Sequence, residues 1–342
     1  MRLVQVTARV SALRVTLGIV SLALLVSACQ ATGTAATGQA PSGTSVTVGV
    51  VPAVDNAPLR VAVDNGLFSA HGLNVTIKTF SSLSLEIKAL TSGQIDIAAG
   101  DYVDFFYEQA AGRVSLHLIA DGYDATSNLM EVLTKPGSGV TKPGDLAGKT
   151  VATPPAQLIP PGQGGYAHDN VPYSLETLAT ESVLQSNGVS PATVTWRPTP
   201  AQNMIKELNS GQVAAILVTE PLILQAESQL GAVGVLDSCS GETASLPLSG
   251  YFSLASYNRT HAPAVGAFQA ALSTAQADSA MRGPVQAVLP SFAGIQSRQA
   301  ALVTLGSYPS FLNVGQVQRV ALLMYDSGMI SDQLNMSSLV SG

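Results

Sequence analysis

Two carboxylates, Asp101 and Glu220, follow similar apolar segments, Ile95–Gly100 and Val213–Val218, in separate parts of the chain. Carboxylates accept hydrogen bonds and attract positive charge, and a pair of them can also act as general acid and base. No sequence feature assigns acid and base roles to these two residues. We therefore interpret them as ligand-binding groups that approach one solute from opposite sides.

The other reactive side chains give little indication of catalysis. Cys239 has no evident partner and is interpreted as a packed thiol, and neither a Gly-x-Ser-x-Gly elbow nor a phosphate-binding loop of the Walker type occurs. The four histidines lack the spacing of metal ligands; they are His71, His117, His168 and His261. We expect no metal, no cofactor and no enzymatic activity.

An eight-residue pattern, Ile-Lys-x-Leu-x-Ser-Gly-Gln, occurs at Ile87–Gln94 and again at Ile205–Gln212. Each copy ends an amphipathic run and precedes one of the two apolar segments. The flanking sequences also match, with Gly72 before one copy and Gly188 before the other. The repeat predicts two similar strand–helix–strand units, and hence two lobes with a ligand cleft between them.

Strands alternate with helices along the chain, which predicts an α/β protein with mainly parallel sheets. In such sheets ligands gather where strands end and helices begin. The candidate ligand-binding residues at these positions are Asn56, Ser81, Ser82, Asp101, Tyr102, Tyr123, Tyr173, Ser174, Gln202 and Glu220. Ser82, Asp101 and Ser174 could equally serve only as helix caps.

The first 28 residues have the pattern of an export signal, with three arginines, no acidic residue and a short apolar stretch. They end at Ala28, directly before Cys29, and the junction Val26-Ser-Ala-Cys29 resembles the lipobox of bacterial lipoproteins. That resemblance implies lipidation of Cys29 and a protein anchored on the outer face of the cytoplasmic membrane. Residues 29–45 are rich in Ala, Thr, Gly and Ser and predict a flexible tether.

The composition bounds the rest of the molecule. With 342 residues, 46% hydrophobic and 11% charged, the chain is long enough for two well-buried domains. The net charge is −6 and no basic patch is present, so we expect no nucleic-acid partner.

We predict lobe one from residues 46–130 and 254–342, lobe two from 131–253, and hinge crossings near Glu131–Leu133 and Gly250–Ser253. Residues 154–172 are either a lid or poorly ordered.

The run Asn65-Gly-Leu-Phe-x-x-His-Gly-Leu-Asn-Val75, with Ala89-Leu-x-Ser-Gly-Gln-Ile-Asp-Ile-Ala98, resembles ABC-transporter solute-binding proteins of the nitrate, sulfonate, taurine and thiamine-precursor branch. Asp145–Val151 and Thr219–Pro221 are further matches. The resemblance implies a type II periplasmic-binding fold that closes on a solute and delivers it to a permease with its ATPase. It extends from about residue 46 to the C-terminal helices.

The expected function is therefore solute capture by a monomeric lipoprotein. The candidate loops carry no basic clamp apart from nearby Arg197, so a nitrogen-bearing organic solute is favoured over a bare oxyanion. Two alternatives remain: a lyase or dehydratase built on the same fold, and a lipoprotein that senses a solute.

Overall fold

The computed structural model describes residues 43–155 and 174–341. The proposed signal peptide, Cys29, most of the tether, Tyr173 and nearly all of the proposed lid lie outside these ranges. The first strand already begins at Thr44, so the tether predicted to reach residue 45 is slightly too long. Across the two described ranges, no helix combines the length and the apolar character that a membrane span requires.

The first sheet contains five strands in the order β2-β1-β3-β10-β4. Only β10 runs against the other four, because it pairs antiparallel with both β3 and β4. The strands are β1 (Thr44–Val50), β2 (Leu73–Thr79), β3 (Ile97–Asp101), β4 (Leu116–Asp124) and β10 (Pro247–Leu254).

The second sheet has the same topology, in the order β7-β6-β8-β5-β9. Here β5 is the one reversed strand, and it pairs antiparallel with β8 and β9. Its strands are β5 (Met130–Thr134), β6 (Thr150–Thr153), β7 (Thr195–Pro198), β8 (Ala215–Thr219) and β9 (Val233–Asp237). Mainly parallel sheets in two α/β lobes are thus confirmed.

Twelve helices lie in the described residues. Those of the first half are α1 (Ala57–Asp64), α2 (Leu67–Ala70), α3 (Leu83–Thr91), α4 (Tyr102–Ala110), α5 (Leu175–Ser186) and α6 (Ala201–Ser210). Those of the second half are α7 (Leu222–Leu230), α8 (Ala255–Ser279), α9 (Arg282–Phe292), α10 (Ser297–Ala300), α11 (Val314–Asp326) and α12 (Met336–Ser341). A kink in α8 at His261 precedes Pro263, which cannot donate the helical hydrogen bond.

The repeated pattern occupies equivalent places in the two lobes. Ile87–Gln94 covers the end of α3 and the turn before β3, and Ile205–Gln212 covers the end of α6 and the turn before β8. In both copies the glycine has a positive φ, 70° at Gly93 and 76° at Gly211, which any residue with a Cβ adopts only at a cost. This requirement explains why Ser-Gly recurs where each helix ends.

The chain passes between the sheets at residues 125–129 and 238–246, not where the sequence predicted. Glu131–Leu133 lies inside β5, and Gly250–Ser253 lies inside β10 of the first sheet. Both segments are extended, but a strand-like sequence pattern does not show which sheet a strand joins. We retain the two-lobe division as a proposal, with lobe two ending before Pro247.

The buried core of the first lobe extends into residues of the second lobe. The first sheet and its helices form one buried cluster that also includes Leu175, Leu178 and Ala179 of α5 and Cys239 after β9. The second sheet has a separate buried cluster on each face. Helix α5 therefore packs against the first lobe as well as its own, and its N-terminus lies at the boundary between the two sheets.

Candidate functional site

A cleft of two adjoining compartments, with volumes of about 220 and 240 Å³, lies where both sheets end. The compartments share residues from both lobes. These are Ala53 and Asp55 after β1, Asp101 after β3, and Leu175 and Glu176 at the start of α5. Loops after parallel strands and the first turns of helices line the cleft, as expected for an α/β ligand site.

Four helices begin at this cleft, and in each of them a side-chain oxygen accepts a hydrogen bond from a backbone N–H of the first turn. Ser82 Oγ accepts from Leu85 N of α3 at 3.4 Å, and Ser174 Oγ accepts from Thr177 N of α5 at 3.2 Å. Carboxylate oxygens accept the corresponding hydrogen bond at the starts of α4 and α7. Asp101 Oδ1 accepts from Val103 N at 2.6 Å, and Glu220 Oε2 accepts from Leu224 N at 3.2 Å.

Of the predicted ligand-binding residues, seven line the cleft: Asn56, Ser81, Ser82, Asp101, Tyr123, Ser174 and Glu220. Asn56 shapes the loop after β1, because its amide accepts from Ala53 N and donates to Val51 O, both at 3.1 Å. The Tyr123 hydroxyl accepts a hydrogen bond from the backbone N–H of Gly306. Contact of these residues with a solute stays a prediction.

Three predicted residues are not placed on the cleft. Tyr102 is fully buried, donates from its hydroxyl to Asp121 Oδ1 at 2.9 Å, and packs edge-on against Phe252. Its ring faces the sheet because it opens α4, whose buried face begins there. Gln202 is exposed on α6 and does not line either compartment. Tyr173 lies outside the described residues.

Sequence reasoning missed several polar groups that do line the cleft. They are Asp55, Asp104, Glu176, Ser249 and Thr304. Asp55 falls within the loop after β1, and Asp104 and Glu176 follow predicted caps by three and two residues. The sequence feature that could have identified Asp104 and Glu176 is their position in the first turn of a helix. Acidic residues at that position are also explained by the helix dipole alone.

The cleft is acidic and has no basic side chain among its described lining residues. Five carboxylates line it: Asp55, Asp101, Asp104, Glu176 and Glu220. Arg197, the one basic residue expected nearby, lies 3.5 Å from Glu207 and does not line either compartment. Isolated carboxylates taken out of water are costly unless a donor or a proton compensates their charge.

The protein environment raises the pKa of several of these groups. Burial, together with the charges of Glu176 and Glu108, raises the pKa of Asp104 to about 8. Burial and the charges of Asp104 and Glu176 raise the pKa of Asp101 well above its usual value. Burial also raises the pKa of Asp55, although hydrogen bonds, first among them one from Ser249, partly oppose it. The cleft without a ligand therefore favours protonated acids.

A sixth carboxylate, Glu86 of α3, lies behind the cleft wall and is fully buried. Its Oε1 accepts from Ala99 N of β3 at 2.9 Å, whereas Oε2 has no hydrogen-bond partner among the described residues. Burial, followed by the charge of Asp55, raises the pKa of Glu86 to about 8. Glu86 thus positions the strand whose end carries Asp101.

Two further observations bear on chemistry. Cys239 is a free, buried thiol, and burial raises its pKa to about 12, so it stays protonated and unreactive near neutral pH. In the described part of the chain, no three His, Cys, Asp or Glu side chains are grouped so that they could hold a metal ion.

The family described as the NMT1-like family matches residues 39–243 of the chain. A bicarbonate transport ATP-binding protein of Synechocystis is 28% identical over 193 residues, which cover 53% of this chain and 27% of that protein. The chain therefore spans about a quarter of the length of that curated relative.

Solved structures share the fold. The periplasmic aliphatic sulphonate-binding protein SsuA of Escherichia coli superposes with a TM-score of 0.69 at 16% identity, covering 87% of this chain and 98% of that one. The periplasmic nitrate-binding protein NrtA of Synechocystis gives 0.64 at 14% identity, with 88% and 86% covered. A C27S mutant of DszB in complex with biphenyl-2-sulfinic acid gives 0.67 at 15% identity, with 87% and 96% covered.

Proposed function

Because this chain belongs to the NMT1-like family, we propose that it captures a small organic solute between its lobes as the binding component of an ABC importer. The observation that carries this proposal is the cleft itself, lined from both lobes where the strands end and helices begin. Lobe closure over the solute is the expected signal to a permease and its ATPase.

The same proposal places the protein outside the cytoplasm, as a monomer held to the membrane through a lipid on Cys29. Its support is the sequence of residues 1–45 together with the sulphonate- and nitrate-binding proteins that share the fold. Metabolic labelling with a radioactive fatty acid tests the anchor. Native protein should carry the label, and Cys29→Ser should not.

Among solutes, we propose a nitrogen-bearing organic compound, such as a thiamine-pyrimidine precursor, ahead of a sulfonate, taurine or nitrate. The support is the set of five carboxylates and the lack of Arg, Lys or His among the described lining residues. An oxyanion needs donors, and in each of the four helix starts one first-turn backbone N–H already has an acceptor within the protein.

A thermal unfolding screen of the full-length chain in detergent tests solute capture. Pyrimidines, amines, amino acids, sulfonates and nitrate are each added, and a ligand at one hundred times its dissociation constant should add about 2.7 kcal/mol to the free energy of unfolding. Small-angle scattering should then show a smaller radius of gyration with that compound. If no class of compound stabilises the chain or alters its shape, solute capture is wrong; turnover of the bound compound would favour the lyase alternative.

A further inference from the structure

The four helix starts at the cleft are partly satisfied by acceptors of the protein itself. Ser82, Asp101, Ser174 and Glu220 each place a side-chain oxygen on a first-turn backbone N–H. Each helix N-terminus is worth about half a positive charge. Two of the four acceptors are themselves carboxylates, so the positive ends of α4 and α7 are offset within the protein.

The cleft also contains carboxylate oxygens that have no hydrogen-bond donor among the described residues. Asp104 is only 6% exposed and lines the cleft, and its side chain forms no hydrogen bond or ion pair with another described residue. Asp55 also lines both compartments, and its buried Oδ1 has no partner among the described residues. A carboxylate oxygen that is removed from water without a partner is stabilised by a proton or by a donor from outside the protein.

The acidic groups of this compartment come from both lobes. Asp101 and Asp104 lie three residues apart on one face at the start of α4, and Glu176 lies in the first turn of α5 on the second lobe. Each of the three lines the same compartment. Since burial and the charge of Glu176 raise the pKa of both aspartates, closure of the lobes on an empty cleft favours their protonated forms.

We propose that the solute carries a cationic N–H group, an ammonium, amidinium or guanidinium, that lies between Asp104 of the first lobe and Glu176 of the second. Asp55 is the second acceptor, reached from the adjoining compartment. This inference rests on the proposed solute-binding function and defines the chemical class that closes the cleft. The cation displaces the proton of Asp104 and forms charge-assisted hydrogen bonds with carboxylates of both lobes, so closure depends on the solute.

An organic cation fits these residues better than a bare metal ion, because in the described residues no group of three acidic, His or Cys side chains has the arrangement that would hold one.

Matched pairs of probes test the charge directly on the full-length chain in detergent. Benzylamine, benzamidine and methylguanidine are compared by calorimetry with their neutral counterparts benzyl alcohol, benzamide and methylurea, and with ethanesulfonate, nitrate and Zn²⁺. At least one cation should bind, and its neutral counterpart should bind at least tenfold more weakly. Asp104→Asn and Glu176→Gln should each weaken that cation at least tenfold, whereas Glu242→Gln, an exposed acid outside the cleft, should not.

The contrary results are equally specific. Binding of ethanesulfonate, nitrate, Zn²⁺ or a neutral probe but of none of the cations overturns the cationic assignment and leaves solute capture standing. Cation binding that both cleft variants retain also overturns it. If none of the three cations binds at 10 mM, the assignment is wrong, and the wider solute screen separately decides the proposed function. Circular dichroism of each variant confirms that it is folded.

Discussion

The carboxylate of Glu220 accepts a hydrogen bond from the backbone N–H of Thr304, with 2.9 Å between the nitrogen and Oε1. Glu220 follows β8 of the second sheet, whereas the neighbouring Val303 is buried in the cluster of the first lobe. The other carboxylate oxygen accepts from Leu224 N at the start of α7. One side chain therefore joins the two lobes and the first turn of a helix.

Glu220→Ala removes both acceptors and should lower the free energy of unfolding by about 1.5–3 kcal/mol, the usual loss for hydrogen bonds to a charged group. It should also enlarge the radius of gyration, because the lobes lose a contact. Urea unfolding and small-angle scattering measure the two effects. Glu227→Ala, on the exposed face of the same helix, is the matched control and should change neither. An unaltered unfolding midpoint for Glu220→Ala would show that the contact contributes nothing.

Glu86 predicts a pH dependence of stability. Because burial raises its pKa to about 8 in the folded protein, the folded state holds a proton that the unfolded chain releases near pH 4.5. Its contribution to stability is complete below about pH 4 and is lost as the pH rises through 8. A pKa that is higher by one in the folded state than in the unfolded chain corresponds to about 1.4 kcal/mol of stability.

Glu86→Gln keeps an acceptor for Ala99 N but cannot ionise, so it should flatten the decline of stability between pH 5 and 8. Unfolding by urea at a series of pH values measures the slope. Glu242→Gln, which is exposed, should leave the slope unchanged. A slope as steep in Glu86→Gln as in the native protein would assign the decline to other acids.

The fold was largely predictable from the sequence because the repeated pattern marks an equivalent helix and strand in each lobe. Ile87–Gln94 and Ile205–Gln212 recur with their glycines at positive φ, and the apolar segments after them form the central strands β3 and β8. The sheet that each crossing strand joins was not predictable. The local sequence of segments such as Gly250–Ser253 predicts a strand, but it gives no information about a partner strand 100 or more residues away in the chain.

The candidate site was predictable by position and less so by side chain. Loops after strands were identified, but the direction of Tyr102 depends on the packing of its ring against Phe252. Asp104 and Glu176 were missed because an acidic residue in a first helical turn has an ordinary explanation in the helix dipole. Only the three-dimensional structure, in which the two lobes face each other, shows that Asp104 and Glu176 share one compartment.

Gly250 in β10 leaves room for the hydrogen bond between Tyr102 and Asp121. A Cβ at this position would lie 2.7 Å from the Tyr102 hydroxyl oxygen. Gly250→Ala should therefore displace the ring and lower the free energy of unfolding by about 1–3 kcal/mol. Gly266→Ala, in open space on α8, is the control and should be neutral or stabilising by up to about 1 kcal/mol. Equal unfolding midpoints for the two variants would contradict this account.

The cation proposed for the cleft should bind with release of a proton, because Asp104 has a pKa of about 8 in the ligand-free protein. The groups that act on it are Glu176 across the cleft and Glu108 on its own helix, and its charge in turn acts on Asp101. Only the ionised carboxylate attracts the cation, so affinity should increase about tenfold with each pH unit as the pH rises toward 8 and level off above it. Calorimetry with benzamidine from pH 6 to 9, in buffers of different ionisation enthalpy, measures both the affinity and the protons released. Asp104→Asn should lose most of this pH dependence, and an affinity for benzamidine that stays constant from pH 6 to 9 would show that Asp104 does not meet the cation.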